Sequence, residues 1–390
     1  MGMALPGAGG ATRQSMASGA QVIDGSLKFD ASKTTYLSRT PSSAGNQRTW
    51  TWSGWIKRDS KFGSSNTLWS CAGNNSVRFG NSNDIEYIFD GNYGLRTSQV
   101  FRDTGWYHIL FSLDTTQATA ADRVKLYING EQVTSFASTG YGNQNDLEDY
   151  NTTVLHTIGI KHDLSTATDF DGRMSQVYFI DGAALGPENF GFTDPLTNTW
   201  RPKKFNAFTN PNNGITWSNS IVPVASGFQS GYGADKMFDG KTTTYGQGNT
   251  GTNPSTLVFT PPTPIVFVDK IEIWHVASDS SISAGINNGD KSAISHGSWQ
   301  TVARGGGTLT TLDISRSSAG GASLAGVRID GYVLVDGLVD NSFYLPMDGN
   351  SPIGHDKSKP NPINDGTIWS SFGSGTVSGV KGYTRAFDGS

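Results

Sequence analysis

The sequence predicts an all-β protein in which one β-sandwich is followed by a second. From Ser26 onward, short runs rich in β-branched and aromatic residues alternate with breaks of Gly, Asn, Asp and Ser, a pattern typical of sandwiches. Charged residues make up only 16% of the chain, which contains 49 glycines and 11% aromatic residues. This composition suits many short strands joined by tight polar turns. The length of 390 residues exceeds the roughly 250–300 at which a single core stops growing, so two or three domains are expected.

The clearest strand covers residues 49–57, Thr-Trp-Thr-Trp-Ser-Gly-Trp-Ile-Lys. Successive side chains of a strand point to opposite faces of the sheet. Trp50, Trp52 and Ile56 therefore share one face and are predicted to lie in the core, whereas Trp55 falls on the other face. Further strands of the first block are predicted at residues 27–30, 77–79, 85–89, 106–113 and 124–128.

A β-hairpin is predicted at residues 124–133, with Asn129 and Gly130 at its turn. Both central residues of a type I′ turn need a positive φ, which Asn and Gly adopt most readily. The pair therefore predicts a two-residue turn between two antiparallel strands.

Changes in composition divide the chain into four segments. Residues 1–24 are rich in Gly, Ala and Ser without periodicity, which is typical of a flexible or partner-docked arm. Residues 25–205 hold the first set of strands. Asn210-Pro-Asn-Asn-Gly indicates a linker at the start of a second β-rich block, residues 206–338. Residues 339–390 are predicted to form a connector or the start of a further module.

Five segments of the first block resemble, in order, the strands of a laminin-G-like, concanavalin A-like jelly-roll domain. They are Thr-Trp-Thr-Trp-Ser-Gly-Trp-Ile-Lys from residue 49, Gly-Trp-Tyr-His-Ile-Leu-Phe-Ser-Leu-Asp from 105, Leu-Tyr-Ile-Asn-Gly-Glu from 126, Thr-Ile-Gly-Ile from 157, and Phe-Asp-Gly-Arg-Met-Ser-Gln-Val-Tyr-Phe-Ile-Asp-Gly-Ala-Ala-Leu from 170. The resemblance implies a jelly-roll sandwich over residues 25–205, in a superfamily that includes lectins and glycoside hydrolases.

The second block resembles a discoidin-type, galactose-binding-like sandwich. The resemblance rests on Gly-Ala-Asp-Lys-Met-Phe-Asp-Gly-Lys-Thr-Thr-Thr from residue 233, Lys-Ile-Glu-Ile-Trp-His-Val from 270, and Leu-Ala-Gly-Val-Arg-Ile-Asp-Gly-Tyr from 324. That family has a tryptophan shortly after its Asp-Gly turn, whereas this chain has Tyr245 or Gly246 there. The departure puts ligand binding by the second block in question.

Two short segments are similar to proteins of marine cyanophages and related phages. They are residues 36–46, Tyr-Leu-Ser-Arg-Thr-Pro-Ser-Ser-Ala-Gly-Asn, and residues 199–205, Thr-Trp-Arg-Pro-Lys-Lys-Phe. This resemblance implies a virion protein, located on the extracellular particle, with other virion structural proteins as partners.

Composition argues against several classes of function. The net charge is -4 and no cluster of Lys and Arg exceeds a pair, so no nucleic acid partner is expected. The single cysteine, Cys71, cannot form an internal disulfide. No run approaches the ~18–20 apolar residues of a membrane span, and the N-terminal segment lacks the basic and apolar regions of a signal peptide. No membrane insertion is therefore expected.

Candidate catalytic groups are few. Glycoside hydrolases use two carboxylates that flank the sugar, and the nearest pair is Asp84 and Glu86, on one face of a predicted strand without a third acid. No two histidines have the spacing of a zinc site; they are His108, His156, His162, His275, His296 and His355. We therefore predict that the chain is not an enzyme.

Calcium is the cofactor that the laminin-G-like resemblance implies, held by Asp side chains and backbone oxygens at a loop rim. The candidate ligands are Asp84, Asp90, Asp163 and Asp169. The alternative is that these aspartates only form turns.

Sugar binding by this fold would use aromatic rings that stack on pyranose faces, with amide partners from loops. The candidates are Trp55, Trp69, Tyr87, Tyr93, Tyr141, Asn92 and Asn143. For each aromatic residue, packing inside the protein is the alternative.

The leading hypothesis is a virion-associated adhesin, tail-fibre-like or a capsid fibre, that binds host-surface polysaccharide or lipopolysaccharide. A homo-oligomer is expected, because several copies convert weak sugar contacts into avidity. The first alternative is a structural decoration protein that binds no sugar. The second is a polysaccharide hydrolase.

Overall fold

A computed structural model describes residues 23, 25–59, 61–89, 91–205, 210–224, 227–250, 254–276, 281–349, 351, 353–358, 369–372, 376–379 and 384–386, with the backbone alone for 92, 93 and the strands after 369. These residues form two β-sandwiches, which confirms the predicted all-β class. Their only helical elements are 3₁₀ turns, at Ala31–Lys33, Ala120–Asp122, Thr166–Thr168, Pro187–Asn189, Trp217–Ser220 and Ala234–Met237.

The first sandwich begins with fifteen strands. They are β1 (Gly25–Phe29), β2 (Tyr36–Arg39), β3 (Thr49–Arg58), β4 (Asn66–Cys71), β5 (Asn75–Phe79), β6 (Ile85–Phe89), β7 (Asn92–Thr97), β8 (Trp106–Asp114), β9 (Val124–Ile128), β10 (Glu131–Gln132), β11 (Phe136–Thr139), β12 (His156–Ile158), β13 (Gly172–Asp181), β14 (Gly191–Asp194) and β15 (Thr199–Pro202). Sheet one has the order β10-β9-β8-β3-β13-β1, sheet two has the order β11-β7-β6-β5-β4-β12-β2, and β14 and β15 form a separate hairpin.

The core between these sheets contains the predicted residues of β3. Trp50, Trp52 and Ile56 are all fully buried, as their alternation predicted. Trp69 of sheet two contacts both tryptophans, with ring centroids 5.5 Å from Trp50 and 6.3 Å from Trp52. Aromatic contact across the two sheets is therefore a main source of burial, since each ring removes a large apolar area from water.

The predicted turn between β9 and β10 is confirmed. Asn129 has φ 50° and Gly130 has φ 85°, the positive values that a type I′ turn requires. Glycine is needed at the second position for packing too, because a Cβ there would lie 2.4 Å from the Trp200 ring.

The second sandwich contains thirteen strands. They are β16 (Ile221–Pro223), β17 (Gly246–Gln247), β18 (Ser255–Phe259), β19 (Ile265–Phe267), β20 (Lys270–Trp274), β21 (Ile282–Ile286), β22 (Ser292–Ala293), β23 (Gln300–Arg304), β24 (Gly307–Leu309), β25 (Leu312–Arg316), β26 (Ser323–Leu324), β27 (Gly326–Ile329) and β28 (Tyr332–Val333). Its sheets have the orders β16-β18-β25-β21-β22 and β23-β20-β27-β28, with the pairs β17–β26 and β19–β24 beside them. Trp217, Phe259 and Ile271 lie in its separate core.

After the second sandwich the chain returns to the first one. β29 (Phe343–Leu345) pairs with β13, β30 (Ser370–Phe372) pairs with β2, and β31 (Thr376–Gly379) lies between β1 and β32 (Thr384–Ala386). The prediction of a connector or a new module at 339–390 is wrong for these strands, which extend the two sheets of the first sandwich. They cover edges of β1, β2 and β13 that would otherwise expose unpaired backbone groups. The second sandwich is therefore an insertion in the first.

The buried Asp181 carboxylate binds the chain where it re-enters the first sandwich, just before β29. Asp181, at the end of β13, accepts backbone hydrogen bonds from Asn46 at 2.8 Å and from Asn341 at 2.9 Å. The Asn341 side chain in turn donates to the Asn151 side chain at 2.9 Å. Burial, together with repulsion from Asp340, raises the pKa of Asp181 to about 7.

The two sandwiches pack directly against each other. Tyr332 of β28 is buried among Ala183, Phe190 and other apolar residues of the first sandwich. Polar contacts extend the interface, among them a 2.8 Å hydrogen bond from the Thr242 hydroxyl to the Thr116 carbonyl. The insertion is thus held by packing and by hydrogen bonds as well as by its two chain connections.

Candidate functional site

One end of the first sandwich, called rim one, is formed by the loops that join β4 to β5, β6 to β7 and β11 to β12. Tyr141 is half-buried here, with its ring against the core, and Asn143 is exposed. The Asn143 backbone N–H donates to the Asp146 carboxylate at 2.6 Å, which holds the loop in place. A Cβ on Gly142 would lie 3.6 Å from the Phe89 ring, so this loop packs against the end of β6.

Three further predicted residues, Asn92, Tyr93 and Asp90, belong to rim one by their place in the chain. Asn92 and Tyr93 begin β7, and Asn92 pairs with Phe89. Their side chains lie outside the described residues, as does the whole of Asp90. Asn74 is exposed and lies next to the loop after β6. Its side-chain amide nitrogen would be 3.6 Å from a Cβ placed on Gly91. The rim thus combines a half-buried aromatic ring with exposed amides.

Three predicted sugar-binding aromatics are buried, which corrects the expectation that their rings are open to a sugar. Trp69 and Tyr87 are 1% and 0% exposed and lie in the core between the sheets. A register shift in β4 between Thr67 and Trp69 accompanies the inward position of Trp69. The Tyr87 hydroxyl donates to the buried Glu148 carboxylate at 3.0 Å. Trp55 is on the outer face of sheet one, as the alternation predicted, but is only 8% exposed.

Trp55 is covered in a region that also contains a Ser–His pair. The Trp55 ring lies 5.3 Å from the His108 ring, and the Trp200 ring of β15 lies 5.9 Å from His108 on the hairpin side. The His108 Nε2 lies 2.8 Å from the Ser53 Oγ. Sequence analysis missed this pair because its two members come from strands β3 and β8, 55 residues apart in the chain.

The Ser53–His108 pair is not arranged as a nucleophile and its base. The Trp200 indole N–H, which can only donate, lies 3.1 Å from His108 Nδ1. His108 Nδ1 must therefore accept, so the neutral ring has its proton on Nε2 and donates to Ser53. Burial lowers the pKa of His108 to about 3. The imidazole is thus a structural connection between β3, β8 and the β14–β15 hairpin.

Asp84 and Glu86 form an ion-paired cluster with two arginines. The Arg78 Nε donates to a Glu86 carboxylate oxygen at 2.6 Å. The Arg96 Nε donates to Asp84 and lies 3.7 Å from Glu86. Both carboxylates are nearly fully buried. Each therefore accepts from a guanidinium, whereas an acid catalyst of glycoside hydrolysis must hold a proton for the leaving group.

The predicted calcium ligands do not form one cluster. Asp84 is bound by Arg96, and exposed Asp163 is paired with Lys161 at 2.9 Å. Asp169 is separately buried, and burial raises its pKa to about 6 despite nearby Lys61. Within the described ranges, no three His, Cys, Asp or Glu side chains lie together as metal ligands would. These residues do not fit a single calcium site, and calcium binding stays a prediction.

Two clefts lie between the sandwiches, and neither was visible in the sequence. The larger, of about 1190 Å³, has mainly apolar walls that include Tyr178, Tyr344, Val266 and Val268. The smaller, of about 330 Å³, is lined by Asp114, Arg328 and other polar side chains. Both depend on how the insertion packs, which no local pattern indicates.

Comparison with known proteins identifies the first sandwich. Residues 31–188 match the concanavalin A-like lectin/glucanases superfamily. The predicted resemblance is thus confirmed for this part of the chain, and the jelly-roll fold is that of a concanavalin A-like domain. A comparison with curated proteins finds no match.

Several solved structures resemble the chain distantly. A heptameric SAP-like pentraxin from Limulus polyphemus shares 16% identity, with 41% of this chain and 76% of the pentraxin covered and a TM-score of 0.31. Domain 4 of a GH43 extracellular arabinanase from Geobacillus stearothermophilus, in complex with arabinotriose, shares 17%, with 36% and 64% covered and a TM-score of 0.27. A chitosan-binding module from a Paenibacillus chitosanase/glucanase shares 16%, with 29% and 93% covered and a TM-score of 0.22. These likenesses are too distant to assign a ligand.

Among the described residues, no helix has the length and apolar character needed to cross a bilayer.

Proposed function

We propose that the chain is a non-catalytic carbohydrate-binding protein whose concanavalin A-like domain attaches a phage particle to host-surface polysaccharide or lipopolysaccharide. The observation that carries the proposal is rim one, where the half-buried Tyr141 ring lies two residues from the exposed Asn143 amide. An aromatic face with nearby amides suits a sugar, because the ring packs on the apolar face of a pyranose and the amide bonds its hydroxyls. The superfamily match over residues 31–188 supports the same class of ligand.

The non-catalytic part of the proposal is supported by the arginine-bound carboxylates. Asp84 and Glu86 are the nearest pair to a glycosidase arrangement, and both are neutralised by Arg78 and Arg96. The virion location is the expectation that follows from the resemblance of residues 36–46 and 199–205 to phage segments. Copies on one particle would bind a surface polymer with avidity.

A glycan array and a host-lipopolysaccharide assay on the full chain test the proposal, with and without calcium. Tyr141→Ala and Asn143→Ala should each weaken saturable binding by about fivefold, since each removes about 1 kcal/mol of stacking or hydrogen bonding. Trp106→Ala and Asn219→Ala are the matched controls. Both residues are exposed and lie away from rim one, in the opposite rim and in the second sandwich.

The other outcomes separate the alternatives. If the folded chain binds no glycan, a structural decoration role replaces the adhesin. Release of reducing ends from a polysaccharide would indicate a hydrolase, and loss of that release in Glu86→Gln would place its chemistry at the arginine-bound pair. Loss of binding in Trp106→Ala instead of Tyr141→Ala would refute rim one as the site.

A further inference from the structure

The smaller interdomain cleft is lined by polar side chains from both sandwiches. β8 and β9 contribute Ser112, Asp114 and Tyr127, the turn after β8 contributes Gln117, and β27 of the second sandwich contributes Arg328. Its volume of about 330 Å³ is at the lower end of the ~300–1,000 Å³ of small-molecule sites. The cleft therefore has room for one small ring.

Asp114 and Arg328 face each other across this cleft without a direct hydrogen bond. The Arg328 Nη1 lies 3.8 Å from the Asp114 Oδ2, beyond the ~3.2 Å limit of a normal N–H···O bond. The same Asp114 oxygen accepts from the Gln117 amide at 2.6 Å, and its other oxygen accepts from the Thr116 N–H at 3.1 Å. Asp114 is thus held in place on its own side of the cleft.

Arg328 is equally fixed on the other side. Its Nε donates to the Glu272 carboxylate at 2.8 Å, and its guanidinium lies 4.5 Å from the centre of the Trp299 ring. These contacts hold the Arg328 guanidinium on its own side of the cleft, at ion-pair distance from Asp114. A hydroxyl oxygen beside the pair, about 2.8 Å from each of the two atoms, can accept from Arg328 and donate to Asp114 at the same time.

The rest of the lining favours an uncharged ring. The two carboxylates, Asp114 and Asp122, are balanced by Arg328 and Lys125, and Lys125 is paired with Asp122 at 3.0 Å. Tyr127 adds a half-buried aromatic ring that packs on the apolar cluster of the interface. Carboxylate, guanidinium, amide and aromatic groups around one small space are the groups that hydroxyl-rich rings require.

We propose that this cleft binds a single neutral hexose unit, with one sugar hydroxyl bridging Asp114 and Arg328. The inference rests on the proposed glycan binding and adds a second site to it, one that exists only when both sandwiches are packed together. A glycan could then contact rim one and the cleft through different sugar units or different chains.

Isothermal titration of the full chain with free glucose, galactose and mannose tests the second site. Gln117→Ala and Tyr127→Ala should weaken monosaccharide binding by about tenfold and reduce the ligand-induced rise in melting temperature. Gln99→Ala is the matched control, since Gln99 is an exposed glutamine that follows β7 in sheet two and does not line the cleft. Tyr127→Phe keeps the ring and its packing, so it should retain most of the binding and exclude a folding defect.

The outcomes distinguish this inference from the proposed function. Loss in the Gln117 and Tyr127 variants, with binding retained in Tyr141→Ala, supports the cleft. Monosaccharide binding that falls only in Tyr141→Ala overturns the cleft and leaves the proposed function in place. Glycan arrays and titrations that both show no binding overturn the two together.

Discussion

Replacing Phe343 by alanine should destabilise the first sandwich, although this residue follows the second sandwich in the sequence. Phe343 is in β29 and only 3% exposed. Its ring lies 5.6 Å from the Phe179 ring of β13 and 4.9 Å from the Trp369 ring. The substitution removes the ring from this stack and leaves the backbone pairing of β29 with β13 intact.

The expected loss is about 3–5 kcal/mol of unfolding free energy, the usual range for truncation of a buried phenylalanine. It combines the lost transfer free energy of the ring with the energy of the cavity left behind. The upper half of the range is expected, because the rigid rings of Phe179 and Trp369 on either side cannot collapse into the space as flexible side chains would.

Urea unfolding of the full chain, followed by tryptophan fluorescence, measures this change. The core tryptophans Trp50, Trp52 and Trp69 report on the first sandwich. Leu196→Ala is the control, since Leu196 is 91% exposed and its truncation should change stability by less than about 0.5 kcal/mol. A loss below about 1 kcal/mol for Phe343→Ala would show that β29 is not part of the first core and would refute the insertion topology.

Three further predictions concern buried polar groups of the first sandwich. Trp200→Phe removes the donor to His108 Nδ1 and should lower the unfolding free energy by about 1–3 kcal/mol, measured by the same titration; unchanged stability would contradict this role. Burial lowers the pKa of His108 to about 3 and that of His156 to about 4, so both rings should be neutral at pH 5 in ring ¹⁵N spectra. Because the unfolded rings take up protons near pH 6.5, stability should fall as the pH falls from 6.5 toward 4; a protonated ring at pH 5 would refute this. Asp181 acts in the opposite direction: its pKa is raised from 3.8 to about 7, so its contribution to stability is lost as the pH rises through that window. Asp181→Asn should remove this part of the slope between pH 4 and pH 7, and an unchanged slope would show that another group causes it.

Local patterns in the sequence were sufficient for the elements that local geometry determines. Trp50, Trp52 and Ile56 were assigned to the core from alternation alone, because strand geometry places every second side chain on one face. The turn at Asn129 and Gly130 was assigned from the φ values that the two residues tolerate. Both predictions depend on fewer than ten consecutive residues.

The orientation of the predicted sugar-binding aromatics could not be obtained in the same way. Trp69 is in a strand with a shifted register, and a shift of one residue exchanges the two faces of a strand. Trp55 was placed on the correct face, but it is only 8% exposed there and lies beside His108, whose ring also contacts Trp200 from a distant part of the chain. Tyr141 is half-buried and Asn143 is exposed at rim one. The next residue of their loop, Gln144, donates to the Thr242 hydroxyl of the second sandwich at 3.3 Å, so the position of this loop also depends on a distant part of the chain.

Pairing of strands across a long insertion is the part of the fold that no local pattern shows. β29 is a short apolar run, and such a run can either pair with an open edge strand or begin a new sheet. Here it pairs with β13, with Phe343 opposite Phe179. A non-local contact favours the pairing of β29 with β13. The backbone N–H of Asn341, two residues before β29, donates to the Asp181 carboxylate at the end of β13. The registration of β29 on β13 is thus determined by a contact between residues 160 positions apart.

This topology has a consequence for binding. The second sandwich is connected to the first at both of its ends, before Ile221 and after Val333, rather than through a single linker. Two connections and a shared apolar interface around Tyr332 restrict its movement relative to the first sandwich, whereas domains joined once usually move freely. Arg328 is therefore held at a fixed distance from Asp114 in the absence of ligand. A site that is already formed loses little entropy when a sugar binds, and weak monosaccharide contacts gain the most from such preorganisation.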